Sequence, residues 1–94
     1  MIEWTDTALR HLDQLSNYVS LAADEDVAER LVRRIVTHVH QLSLFPLSGR
    51  TGRIPGTREL PIAATPFIAV YTQRPGQISV LAVLHGAQRW PDSL

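Results

Sequence analysis

The side chains best suited to chemistry lie in the second half of this 94-residue chain. Apart from residues needed for caps and turns, they are Arg50, Arg53, Arg58, Glu59, Tyr71, His85, Gln88, Arg89 and Trp90. Arginine presents a planar fork of donors that binds phosphate or carboxylate through two hydrogen bonds at once. A concave sheet face lined by several arginines, with a tyrosine and a histidine, could therefore receive a phosphate backbone or a carboxylate-rich peptide.

The same set contains the groups needed to cleave RNA by in-line attack of a 2′-hydroxyl on phosphorus. His85 or Glu59 could remove the hydroxyl proton, and Arg58 could stabilise the charge that develops on the phosphate. Each residue also has an ordinary structural interpretation. Tyr71 could be a half-buried strand residue, Glu59 an ion-pair partner of Arg58, and His85 the end of a strand. The residues alone leave both interpretations open.

Other kinds of site have no support in the sequence, and we expect neither a metal nor a cofactor. His38 and His40 are two residues apart on a predicted helix, so their side chains diverge by roughly 200° and cannot bind one ion together. His11 has no second ligand at a suitable spacing. The chain has no cysteine, no glycine-rich phosphate loop and no serine at the spacing of a catalytic triad.

The elements that must position these side chains follow from the hydrophobic pattern. Residues 1–4 predict a short strand, and Thr5 or Asp6 predicts the start of a helix. A second helix is expected to begin at the acidic residues 24–26 and to run to about Leu44. Three strands are predicted at about residues 57–62, 66–73 and 77–85, the last two joined by a tight turn. Pro61 indicates that the first of these three is an edge strand or contains a bulge.

These elements predict one α+β domain covering residues 1–94, in the order β-α-α-β-β-β. Consecutive strands would pair antiparallel, and the N-terminal helical hairpin would pack on one face of the sheet. Both helices have an apolar face, because their apolar residues recur every three or four positions. Residues 78–84 are apolar except for Ser79, which is typical of a strand buried on both faces.

Charge is unevenly distributed along a chain whose net charge is zero. Residues 1–29 contain seven acids and one arginine, giving −6, whereas residues 30–94 contain eight arginines and two acids, giving +6. The later part could face an anionic partner, and Arg30, Arg33 and Arg34 form either a solvated helix face or a basic docking face. The absence of a membrane span, signal peptide or cysteine leads us to expect a cytoplasmic protein.

Several motifs together resemble the RelE/ParE toxins of type II toxin–antitoxin systems, in particular the ParE-like branch. They are Ile2-Glu3-Trp4-Thr5 with Ala8; Leu42 with Pro46-Leu47-Ser48-Gly49-Arg50; Gly56-Thr57-Arg58-Glu59-Leu60; Tyr71; and His85-Gly86-Ala87-Gln88-Arg89-Trp90-Pro91. The resemblance covers nearly the whole chain and implies a compact toxin that inhibits growth when it is released from a cognate antitoxin. The toxin–antitoxin system that the resemblance implies is of the plasmid-stabilisation type.

Within this family, the resemblance implies two kinds of mechanism. ParE-like members inhibit DNA gyrase without an established catalytic residue set. For this chain we expect the target- or phosphate-binding residues to be Arg50, Arg53, Arg58, Tyr71, Gln88, Arg89 and Trp90. RelE-like members are ribosome-dependent mRNA endonucleases, in which case Arg58, His85 and Arg89 would be catalytic. A degenerate toxin that only binds antitoxin is a third possibility.

Two departures from the family pattern favour the gyrase-directed or degenerate interpretation over the endonuclease. The pattern His-Gly-x-Arg usually has arginine where this chain has Gln88, followed by Arg89. Glutamine can hydrogen-bond a phosphate but cannot neutralise its charge. Ribosome-directed members are also generally basic, as binding to RNA requires, whereas this chain is neutral overall.

Overall fold

A computed structural model describes all 94 residues of the chain. Its helices are α1 (Asp6–Ala22) and α2 (Glu25–His40), the latter followed by a 3₁₀ turn at Gln41–Ser43. Its strands are β1 (Ile2–Trp4), β2 (Arg50–Thr51), β3 (Arg58–Pro61), β4 (Phe67–Arg74) and β5 (Gln77–His85). The predicted α+β class and the order of the main elements are confirmed. The additional strand, β2, lies in a stretch that was predicted to be a loop.

The five strands form one mixed sheet in the order β1-β5-β4-β3-β2. Strands β2 to β5 pair antiparallel, and β1 pairs parallel to β5. Only Arg58 and Glu59 of β3 are covered by β2, so Pro61 lies on an open part of the sheet edge, where its missing N–H costs nothing.

Each helix begins where a side chain accepts a hydrogen bond from the first turn. Thr5 Oγ1 accepts from the Ala8 N–H at 3.2 Å, and Asp24 Oδ1 accepts from the Val27 N–H at 2.8 Å. The second helix ends at His40, earlier than predicted, because the chain tightens there into the 3₁₀ turn. That turn still directs Leu42 into the core, which is why the apolar pattern continued past the end of the helix.

The helical hairpin covers one face of the sheet, as predicted, and encloses most of the core. A smaller apolar cluster of Val70, Ala82 and Leu84 lies on the opposite face, where Trp90 packs against it. We call this opposite side the open face. Strand β5 is therefore buried on both faces, as its apolar run predicted.

A bulge in β5 explains how this strand serves both clusters. Val80 lies opposite Tyr71, but Ala82 lies opposite Val70, so Leu81 is an extra residue. The extra residue reverses the alternation of side chains, and both Val80 and Val83 consequently face the helices.

Side chains satisfy the part of the β5 edge that the short β1 leaves uncovered. Thr5 Oγ1 donates to the Leu81 carbonyl at 3.2 Å, and the Val83 N–H donates to His11 Nδ1 at 3.2 Å. Unpaired backbone groups at a sheet edge can template pairing with other chains. Here α1 and its cap occupy several of those groups.

Candidate functional site

The centre of the open face is a buried carboxylate that binds two arginines. The side chain of Glu59 is 3% exposed, whereas those of Arg50 and Arg53 are 55% and 47% exposed. Glu59 Oε1 accepts from Arg50 Nε at 3.2 Å and from Arg50 Nη2 at 3.0 Å. Glu59 Oε2 accepts from the Arg53 backbone N–H at 2.8 Å and from Arg53 Nε at 3.2 Å. We call these three residues the Glu59 cluster, whose net charge is +1.

Burial alone would raise the pKa of the Glu59 carboxyl, because it disfavours the charged form. The backbone N–H of Arg53 and the two guanidiniums outweigh this effect, so the pKa lies below its ordinary value. Glu59 is therefore an anion under physiological conditions and a poor candidate for a general base. Its chemistry here is to hold two cations in fixed positions with their remaining donors toward solvent.

The C-terminal residues fold back over the open face and join this cluster through Trp90. The guanidinium carbon of Arg53 lies 3.6 Å from the centroid of the Trp90 ring, which is a cation–π contact. The indole Nε1 of Trp90 donates to the His85 carbonyl at 3.1 Å. Arg53 is thus held between a carboxylate and an aromatic ring, and Trp90 links the sheet end to the loop that carries Arg53.

Arg58 and Tyr71 lie on the other face of the sheet. Arg58 pairs with Tyr71 in the register of β3 and β4, as predicted, and Tyr71 belongs to the core beneath the helices. Successive residues of a strand point to opposite faces, so Arg58 and Glu59 cannot share one. The interpretation of Glu59 as the partner of Arg58 was wrong, and the expected single arginine-lined face is divided in two.

The Tyr71 hydroxyl is buried and fully occupied. It donates to the Pro46 carbonyl at 3.0 Å and accepts from the Gly49 N–H at 3.0 Å. Arg58 Nη1 donates to the Gly49 carbonyl at 2.8 Å. Tyr71 is 0% exposed, so it can affect a partner only through the loop it holds.

His85 and Gln88 form a third, separate group at the end of β5. The Oε1 atom of Gln88 accepts from the His85 N–H at 2.8 Å, and His85 Nδ1 accepts from the Ala87 N–H at 3.0 Å. The His85 ring meets Phe67 edge-on, with the ring centroids 5.6 Å apart. Neighbouring Arg89 is exposed and has no hydrogen-bond or ion-pair partner within the chain.

Arg58 and His85, two of the three residues proposed for RNA cleavage, do not converge on one phosphate. Arg58 lies opposite Tyr71, whereas His85 lies opposite Phe67, four residues earlier in β4. Four residues of a strand span about 13 Å, and two strand spacings add roughly 10 Å across the sheet. The catalytic assignment therefore remains a sequence-based prediction without an assembled site in this conformation.

Sequence reasoning missed a cluster of exposed apolar side chains after α2. Leu44, Phe45 and Leu47 are 75%, 64% and 59% exposed. The signal was available, because these residues lie next to a helix-breaking proline and outside the apolar periodicity of the helix. No cluster of three or more potential metal ligands is present, and no helix is long and apolar enough to span a membrane.

The comparisons with known proteins agree with this architecture. The sequence model of the ParE toxin of the type II toxin–antitoxin system parDE matches residues 2–90. "Putative toxin Y4kP" of Sinorhizobium fredii (strain NBRC 101917 / NGR234) is 44% identical over 93 residues, covering 99% of this chain and 95% of that protein. A solved structure described as the chromosomal ParDE TA system from P. aeruginosa has a TM-score of 0.82 and 26% identity. That match covers 89% of this chain and 92% of the other.

Proposed function

Because the chain belongs to the ParE toxin family of type II toxin–antitoxin systems, we propose that it inhibits growth by binding a protein target such as DNA gyrase. A cognate antitoxin would keep it inactive in the cytoplasm, where gyrase works. Membership of a parDE-type system supports the antitoxin as a partner. The choice of a binding mechanism rests on the geometry of the polar residues.

The observation that carries a binding mechanism is that several polar groups of the candidate site are engaged by the fold, and that Arg58 and His85 lie far apart. The Glu59 carboxylate accepts from two arginines, and the Tyr71 hydroxyl is used inside the core. Gln88 caps the last strand, and Arg58 is remote from His85. General acid–base catalysis requires a donor and an acceptor within hydrogen-bonding reach of one substrate. The fold also holds two half-exposed cations in place, Arg50 and Arg53, and leaves Arg89 exposed.

Those cations define the surface we propose for target binding. Arg50 and Arg53 are oriented by Glu59, and the exposed Arg89 precedes Trp90 in the tail. Guanidiniums that are already held in place lose little conformational entropy on binding a carboxylate or phosphate. Their target would present acidic groups opposite the open face.

Inducible expression with two parallel readouts tests this proposal. We expect growth arrest, inhibition of supercoiling by purified gyrase, and intact mRNA on translating ribosomes. The double variant Arg50→Gln/Arg89→Gln should weaken inhibition of supercoiling, and Arg33→Gln on the outer side of α2 provides a matched control. Coexpression with the cognate antitoxin should restore growth.

The endonuclease alternative predicts a different pattern. mRNA cleavage that disappears in Arg58→Ala and in His85→Ala would refute the binding mechanism. Unaffected growth on induction, with the protein folded and abundant, would refute both toxin mechanisms and leave an antitoxin-binding module.

A further inference from the structure

Four residues after α2 form an exposed apolar projection, which we call the 44–47 segment. Three of its members are large apolar side chains, and each is more than half exposed: Leu44, Phe45 and Leu47. Single exposed apolar residues are common on protein surfaces, whereas contiguous ones mark interaction sites. None of these three residues belongs to either apolar cluster of the protein.

The fold holds this segment in place from both ends. Before it, the N–H groups of Leu44 and Phe45 donate to the Gln41 carbonyl at 3.1 and 3.0 Å. Within and after it, the Tyr71 hydroxyl binds the Pro46 carbonyl and the Gly49 N–H. A Cβ atom on Gly49 would lie 2.5 Å from the Tyr71 hydroxyl oxygen, so the glycine permits this close approach. A segment fixed in this way loses little entropy when a partner covers it.

Arg58 supplies a positive charge at Gly49, two residues after the end of the segment. Its guanidinium is held by the Gly49 carbonyl and, unlike those of Arg50 and Arg53, it has no carboxylate partner. A guanidinium has five N–H donors, and the hydrogen bond to Gly49 uses one of them. The segment therefore combines apolar side chains with a fixed cation that can still bind a carboxylate.

We propose that the 44–47 segment and Arg58 form a docking surface for the antitoxin. The occupant would be an antitoxin stretch whose apolar side chains cover Phe45 and Leu47 while a carboxylate pairs with Arg58. This inference rests on the proposed function and assigns the antitoxin to one surface of the toxin. Long-lived complexes bury more apolar surface than transient ones, so an exposed apolar projection suits a permanent partner better than a transient target. The net charge of +6 over residues 30–94 favours an acidic stretch.

The test is titration calorimetry of toxin variants with the full-length cognate antitoxin. We expect Phe45→Ser/Leu47→Ser to weaken binding about 100-fold and Arg58→Gln about 10-fold, as for central interface residues. Leu21→Ser and Arg74→Gln are the matched controls, since Leu21 is 90% exposed on α1 and Arg74 lies at an exposed turn. Circular dichroism and thermal unfolding should show that all variants are folded.

The outcomes separate this inference from the proposed function. Loss of antitoxin binding with intact inhibition of gyrase by the 44–47 variants would support the docking surface. The docking surface would be refuted if the 44–47 variants bound antitoxin as tightly as the wild type does, or if the control variants lost as much affinity. The proposed function would still stand in that case. Loss of gyrase inhibition with intact antitoxin binding would assign the segment to the target and overturn our proposal. A wild-type chain that does not bind antitoxin would overturn both.

Discussion

Replacement of Glu59 by glutamine should destabilise the protein far more than the same replacement at Glu29. Each carboxylate binds arginine, but the Glu59 side chain is 3% exposed, whereas those of Glu29 and its partner Arg33 are 67% and 68% exposed. Glutamine has the same shape but presents an N–H₂ group to donors that require an acceptor. The variant therefore leaves part-buried donors of Arg50 and Arg53 without a full acceptor, and it creates no cavity.

The magnitude follows from the number and burial of these hydrogen bonds. A hydrogen bond to a charged group contributes about 1.5–3 kcal/mol, and breaking a fully buried ion pair costs about 3–5 kcal/mol. Because Arg50 and Arg53 are about half exposed, water can replace part of the lost interaction. We expect a loss of about 2–4 kcal/mol in the free energy of unfolding for Glu59→Gln. The exposed i,i+4 pair of Glu29 and Arg33 should contribute about 0.3–0.5 kcal/mol.

Urea denaturation of the wild type and both variants measures this difference. With a slope of about 2 kcal/mol per molar, the Glu59→Gln midpoint should fall by about 1–2 M. The pKa of Glu59 is lowered in the folded state, so its contribution is present above its unfolded pKa and is lost as the pH falls through the folded value. The urea midpoints of the wild type and of Glu59→Gln should therefore converge at acidic pH. Equal midpoint shifts for the two variants at neutral pH would refute the reasoning that burial makes this carboxylate special.

Three further predictions concern single hydrogen bonds. Tyr71→Phe should reduce the free energy of unfolding by about 1–3 kcal/mol, because the Gly49 N–H and the Pro46 carbonyl lose their partner. Chemical denaturation measures this loss, and it should show almost no effect for Tyr18→Phe, since Tyr18 is exposed. Burial and then the charge of Arg10 lower the pKa of His11, which accepts a backbone N–H of β5. Thermal stability should consequently decline as the pH falls below the ordinary histidine value of about 6.5, and His11→Gln should flatten that slope. Gln88→Arg should accelerate amide exchange at the His85 N–H, whereas Gln88→Glu, which keeps an acceptor, should not.

The fold was largely predictable, because helical periodicity and β alternation are local properties of the sequence. Less predictable were the features that depend on contacts distant in the chain. The two-residue strand β2 exists because Arg50 and Thr51 pair with β3, and no local pattern marks it. The bulge at Leu81 was similarly hidden, since an apolar run buried on both faces contains no alternation to interrupt.

The candidate site was predictable in its residues but not in its arrangement. Strand alternation alone could have separated Arg58 from Glu59, since adjacent strand residues point to opposite faces. The partners of Glu59 could not be deduced from the sequence, because Arg50 and Arg53 reach it through a loop whose path depends on Tyr71. Their position relative to Trp90 required the fold of the tail as well.

The glutamine that departs from the family pattern gains a physical explanation from the fold. The last N–H of β5 needs an acceptor, and Gln88 Oε1 supplies one at 2.8 Å, which an arginine could not do. With that acceptor in place, the tail turns back so that Trp90 binds the His85 carbonyl and stacks on Arg53. Gln88 therefore acts as a structural cap at the point where the C-terminal tail turns back toward the Glu59 cluster. A tail anchored in this way is better suited to presenting a fixed binding surface than to moving a catalytic arginine onto a phosphate.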